Sequence, residues 1–408
     1  MSGFVPSEPG QSGTGDPGAG GEPRGVYIHF PYCLQKCPYC DFVSYATERA
    51  EVPHERYADA VIAEMEQRRN ELVGKRVASV FFGGGTPSLW KAEELGRVLH
   101  HLRQMACFEA NVEITAEANP SSLDEAKARS LKGVGVNRLS IGVQGLRRER
   151  LEFLGRLHDE TGGLHAVKEA LASGMERVSA DVIYGVAGGA AQTVEDAASE
   201  VSRVVDTGIT HVSAYALTIE PSTVFGELAR KNALPMLAED QLADMFLAVR
   251  DALETRGFVH YEVSNYARAG HESRHNLGYW RGLDYVGLGC AAYGTVSTGD
   301  GNARRYRNKT DPEKYIRAAL TGPSTEGHAE ALTAETRLRE RIMLGLRLAE
   351  GLDLSAAADA LGVPAWTNER RRAADKLVRK GWLSISAGRL SVPPKAWLFA
   401  DGTAAELF

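Results

Sequence analysis

The sequence predicts an α/β protein: an open, partial (β/α)6 TIM-like barrel, followed by a small C-terminal α+β domain of winged-helix-like type. Three observations carry this. Short β-branched and aromatic runs recur from Gly25 onward, amphipathic stretches lie between them, and the alternation stops near residue 225.

The runs over 25–30, 77–82, 112–118, 138–143, 178–184 and 211–217 are rich in β-branched and aromatic residues. That pattern suits parallel strands covered on both faces. Over 56–73, Tyr57, Val61, Met65 and Leu72 recur at helical spacing, and similar stretches fill 91–105, 123–132, 161–173 and 193–207. Six strand–helix units imply right-handed βαβ connections, yet are too few for a closed eight-unit barrel. The expected division is a disordered Gly/Pro/Ser-rich tail over 1–24, a core over 25–225, a core extension over 226–330 and a C-terminal domain over 335–408. A helix is expected over 239–256, and the low-apolar stretch 325–334 reads as a linker. Beyond it come helices over 335–350, 354–361 and 366–379 and a hairpin over 382–392.

The 408 residues suffice for two to four domains, and the composition, 43% hydrophobic and 25% charged, is that of an ordinary globular protein. With 47 basic against 53 acidic residues the net charge is −6, which offers no electrostatic reason for nucleic-acid binding. No apolar run approaches the ~18 residues that would span a bilayer, so no integral membrane segment is expected. The opening residues have neither a basic nor an apolar region of signal-peptide type, and the expected address is the cytoplasm.

Five cysteines are too few for a disulfide scaffold, and three of them form Cys33-x3-Cys37-x2-Cys40 just after the first strand. Zinc usually takes four ligands in two pairs, and no second pair follows. A redox pair of Cys37 and Cys40 leaves Cys33 unexplained. Three thiolates on one tight loop suit a [4Fe–4S] cluster with one iron open to a small chelating molecule. Cys107 and Cys290 read as small buried hydrophobes, although Cys290 sits in a Gly-rich stretch near the expected pocket.

With Tyr39 as the aromatic before Cys40, the motif resembles that of the radical S-adenosylmethionine (SAM) superfamily. The order Tyr27-x-His29-x-Pro31-x-Cys33, GGGTP, EANP, SIGVQ, GRxH and DxIYG is similar to the HemN/HemW branch of oxygen-independent coproporphyrinogen III oxidase-like proteins. The resemblance implies a [4Fe–4S] cluster on Cys33, Cys37 and Cys40, and SAM near Tyr27, Tyr39, Gly84 and Glu117. It places Gly85, Thr86, Gln144, Arg156 and Asp181 at a second SAM position. Taken singly, each of these side chains reads as solvated or paired; together they fall at the carboxyl ends of parallel strands, where ligands bind.

Coproporphyrinogen dehydrogenases of the branch carry a further Cys where this chain has Phe42. The wording around Cys40, with LTIEPST, YEVSNYA and the HNxxYW hexapeptide at 275–280, resembles the heme-chaperone side. The resemblance implies heme carried to acceptor proteins, respiratory ones foremost, an electron donor for the cluster, and room for a homodimer. The alternative is oxidative decarboxylation of coproporphyrinogen III. For the hexapeptide itself two readings stand open. His275, Asn276, Tyr279 and Trp280 either hold heme by an imidazole and flat rings, or form a packed loop. His29 is open between loop support and substrate contact, and Arg304, Arg305 and Arg307 read as a solvated basic loop or as partners of propionates. Arg370, Arg371, Arg372 and Lys376 admit a third reading, a nucleic-acid-binding winged helix. It is weaker than a wet helix face with Ala373, Leu377 and Val378 inward.

Overall fold

The computed structural model describes residues 24–408; the tail expected over 1–24 lies outside them except for Arg24, which opens the first strand. Six parallel strands run in sequence order: β1 (Arg24–Phe30), β2 (Arg76–Gly84), β3 (Cys107–Ala118), β4 (Arg138–Gln144), β5 (Arg177–Tyr184) and β6 (His211–Ala216). Between them pack α1 (His54–Gln67), α2 (Ala92–Met105), α3 (Glu125–Gly133), α4 (Gly162–Ala172) and α5 (Val194–Val205). Val26, Ile28 and Phe30 of β1 and Val80 and Phe82 of β2, every second residue and so one face of each strand, are fully buried. The helix expected over 56–73 breaks at Arg68, whose guanidinium is drawn to Glu64 and Asn308 and lies 3.7 Å from the Tyr306 ring centre.

The extension enlarges the same sheet. On one side β7 (Val259–Glu262) and β8 (Asn265–Ala267) follow β6. On the other, β9 (Tyr285–Gly289) lies parallel to β1 with Val286 opposite Val26. It is a seventh parallel strand that the alternation did not announce. The antiparallel β10 (Tyr293–Gly299), β11 (Asn302–Asn308) and β12 (Glu326–Leu332) complete twelve strands. The stretch read as a linker is therefore β12. It is polar because it is an edge strand, exposed along most of its length and held to β11 by the cross-strand ion pair Arg305–Glu330 and by Arg304 reaching along the sheet to Glu326. The basic loop expected at 304–307 is likewise strand β11.

At the C-terminus, the helices Ala334–Gly345, Leu354–Asp359 and Asn368–Lys380 pack with a three-stranded sheet of Leu352–Asp353, Ser384–Ser386 and Arg389–Ser391. Its hairpin turns through Ala387 and Gly388, both with positive φ, the geometry of a tight two-residue turn. Arg370 is 2% exposed and spends its guanidinium on Glu335 and the carbonyls of Leu407 and Ala365, so it cannot read phosphate. Lys376 pairs with Glu406. Inward positions are Ala374 and Leu377; Val378, expected inside, is exposed. Cys107, expected buried, is exposed at the start of β3, while Cys290 is buried and gives its thiol hydrogen to the Thr310 carbonyl at 3.0 Å. Among the described residues no helix is long and apolar enough to cross a membrane.

Candidate functional site

The carboxyl ends of the parallel strands open onto two adjoining cavities, of about 420 and 910 Å³. Cys33, Cys37 and Cys40 all line the smaller. Their loop is tied down at its base, where Tyr32–Cys33 pairs in parallel with Tyr45–Ala46, and it turns through a Cys40 N–H to Cys37 carbonyl bond. Thr86 donates its hydroxyl to the Cys33 sulfur at 3.3 Å, and Arg156 sets a guanidinium nitrogen 3.7 Å from that of Cys37. Burial pushes the Cys33 thiol up and the Cys40 thiol up to about 11, so the thiolates need a cationic centre to be stable.

Among the described residues no three His, Cys, Asp or Glu groups converge on one metal ion. Zinc would need its sulfurs at ~2.3 Å. Three separated thiols around a common pocket fit an iron–sulfur cluster, and among the described residues no other cysteine lines it.

Gly84, Gly85, Thr86, Glu117, Gln144, Arg156, Asp181 and Tyr39 share that pocket. A Cβ on Gly85 would meet the Tyr32 carbonyl oxygen at 2.7 Å; the bare backbone is what lets this loop close over the cysteine strand. Glu117 accepts the Gly84 N–H at 3.1 Å. Burial, then the neighbouring Asp181, pushes its carboxyl up to about 8. Asp181, also raised by burial, accepts from the Ser140 hydroxyl at 3.0 Å. Gln144 has φ +67° beside a register shift in β4, a strained bulge that aims its amide into the pocket. Arg156 is oriented by the Gly142 carbonyl at 2.8 Å.

The larger cavity takes the remaining predicted residues except one. Tyr27, His275, Asn276 and Tyr279 line it, with His29. The HNxxYW segment is a helix, Arg274–Trp280, not a loop. His275 and Tyr279 lie one turn apart and share its inward face. Trp280, one residue further, points elsewhere, with the Arg347 guanidinium 5.4 Å from its ring centre. Both His275 nitrogens are engaged, Nδ1 with the Ser79 hydroxyl at 2.9 Å and Nε2 with the Tyr279 hydroxyl at 3.0 Å. Burial lowers its pKa to about 3, so the ring is neutral. His29, lowered to about 4, bridges the Tyr27 hydroxyl and the Val43 carbonyl. Sequence reasoning missed His211, Ser213 and Tyr215. Their alternation along β6, every second residue facing inward, was the available signal.

The radical SAM superfamily model matches residues 27–201, and the HemN C-terminal domain model matches 332–399. The heme chaperone HemW of Mycobacterium tuberculosis H37Rv is 34% identical over 93% of this chain and 94% of its own length. That of Escherichia coli K12 is 37% identical over 72% and 76%. The chain belongs to the HemW family. Membership in the radical SAM superfamily implies a [4Fe–4S] cluster and SAM. Among solved structures, coproporphyrinogen III oxidase HemN of Escherichia coli superposes with a TM-score of 0.78 at 21% identity, covering 94% of this chain and 90% of that one, a likeness of fold. In this HemW-family chain the position of the further cysteine is taken by Phe42, 60% exposed on the wall shared by both cavities.

Proposed function

We propose that this protein is a heme chaperone of the HemW type: it binds a [4Fe–4S] cluster, SAM and heme, and delivers heme in the cytoplasm to acceptor proteins, respiratory ones foremost. The observation that carries the reading is the second cavity. A space of about 910 Å³, walled by aromatic rings and neutral imidazoles, continues from the cysteine pocket. Its size and lining suit a porphyrin, and the similarity to proteins named heme chaperones supports the reading.

In this proposal Cys33, Cys37 and Cys40 would hold the cluster, which when bound would supply one-electron chemistry toward SAM. Thr86 and Arg156 stabilise the thiolates by hydrogen bonding and charge. The Gly83–Gly85 turn offers backbone at close range to the methionine end of SAM. Glu117, protonated near neutrality, can both donate to and accept from ribose hydroxyls. Phe42 cannot replace a thiolate, which disfavours the coproporphyrinogen oxidase reading. His275 is the heme-facing imidazole, and Tyr279 must release its Nε2 before that nitrogen can bind iron.

The test is anaerobic reconstitution followed by heme titration at the Soret band. Saturable binding at one heme per chain, without conversion of coproporphyrinogen III, is the expected result. Turnover to protoporphyrinogen IX, or no saturable binding, overturns it.

A further inference from the structure

The three arginines of β11 do not share one environment. Arg304 pairs with Glu326, and Arg305 forks onto Glu340 at 2.7 and 2.9 Å. Arg307 differs. It lines the larger cavity, and among the described residues its buried Nε has no hydrogen-bond partner and its guanidinium no ion-pair partner. The neighbouring carboxylate of Asp311 is committed to capping the Lys314 N–H at 2.8 Å. What Arg307 does touch is Tyr293, its cross-strand partner, whose ring centre is 5.1 Å from the guanidinium carbon.

Around this cation the cavity mouth is aromatic and open. Tyr293 is 44% exposed, Phe42 60% and Tyr45 39%. All three line the cavity. Large rings left exposed at the edge of a chamber bury little on folding and gain from a flat guest. A half-buried arginine without a counter-ion is costly unless an anion completes it. A guest that is planar, apolar across its faces and anionic at one edge meets both demands.

We propose that Arg307 is the carboxylate-binding residue of a porphyrin seat at this mouth, with the macrocycle lying among Tyr293, Phe42 and Tyr45 and its propionate edge toward β11. The inference rests on the heme-carrier reading and adds an orientation: propionates at the rim, the metal toward His275. Lys36, also in the lining, is bound to the Phe42 carbonyl at 3.3 Å and leaves the primary role to Arg307.

The full-length, cluster-reconstituted protein is titrated with metal-free protoporphyrin IX and with its dimethyl ester, so that axial ligation plays no part. Heme is followed in parallel at the Soret band. The diacid should bind about tenfold or more tightly than the ester, a preference that Arg307→Gln removes, Arg307→Lys partly keeps and Arg304→Gln leaves intact. Equal binding of diacid and ester to the unaltered protein overturns the proposal without recourse to any variant. So does an Arg307→Gln protein that keeps the preference. If the unaltered protein binds heme under either of those outcomes, the carrier reading stands alone; if it binds neither heme nor protoporphyrin, both fall.

Discussion

Arg156 places one guanidinium nitrogen 3.7 Å from the Cys37 sulfur while the other holds the Gly142 carbonyl at 2.8 Å. A fixed positive charge beside a metal-binding thiolate favours the electron-rich state of whatever that thiolate ligates. Arg156→Leu should therefore make the cluster harder to reduce, by on the order of 50 mV, close to the 59 mV that equals tenfold for one electron. Redox titration followed by EPR reads this directly, and an unchanged midpoint would deny the arginine that role.

Replacing Cys33, Cys37 or Cys40 by Ala should each reduce bound iron and sulfide to background. The exposed Cys107 should be replaceable without loss. Iron and sulfide analysis of the four anaerobically purified variants separates the groups; a Cys40→Ala protein with full iron content would refute the three-thiolate assignment.

Glu117 carries a pH signature. Its carboxyl titrates at about 8 in the folded protein against an ordinary 4.5. Below about pH 4.5 the group is protonated in both folded and unfolded chains. Above that, the unfolded chain releases its proton first, so stability declines as pH rises toward 8. Thermal unfolding of the SAM-free protein should show Tm falling over this window, and Glu117→Gln should flatten the slope. A slope unchanged by Glu117→Gln would assign the effect to other groups.

Tyr279→Phe removes the hydroxyl that occupies His275 Nε2. Heme affinity should rise severalfold, in line with ~1 kcal/mol for one hydrogen bond, while His275→Ala should abolish the axial-ligand shift of the Soret band. Weaker heme binding by Tyr279→Phe would instead place that hydroxyl in contact with the heme.

Arg370→Met takes the buried guanidinium from the Leu407 and Ala365 carbonyls, while Glu335 stays solvated, and should cost about 2 kcal/mol. Hydrogen exchange should report the loss in the last helix, Ala400–Ala405, with the barrel strands unaffected. Equal protection in the variant would show the network to be dispensable.

Much of the architecture was legible because strands packed under helices bury apolar residues at alternate positions, as at Val26, Ile28 and Phe30, and because chemistry-bearing residues gather toward the carboxyl ends of such strands. Glu117, Gln144 and Asp181 were found that way. The outer strands that escaped have a common physical root: the edge of a sheet needs no apolar run, whereas the inner strand β9 escaped because no helix-strand alternation leads to it. Glu326–Leu332 looks like a linker because a single one of its residues is buried. The arginines of β11 could not be sorted by sequence, since alternation says which residues share a face and not which carboxylates await them. Trp280 shows the same limit, one residue past an inward tyrosine on a helix that sequence could not distinguish from a loop.

The strand β1 that leads into the cysteine loop is flanked on one side by Tyr285–Gly289, about 260 residues later in the chain, and the Tyr45 hydroxyl reaches the Thr310 carbonyl at 2.8 Å. A nascent polypeptide emerging from the ribosome therefore presents the cysteine pocket, complete at Thr218, before Tyr293 and Arg307 close the larger cavity beside it. A truncated product ending before β9 would keep every residue that lines the cysteine pocket and lack one wall of the larger chamber.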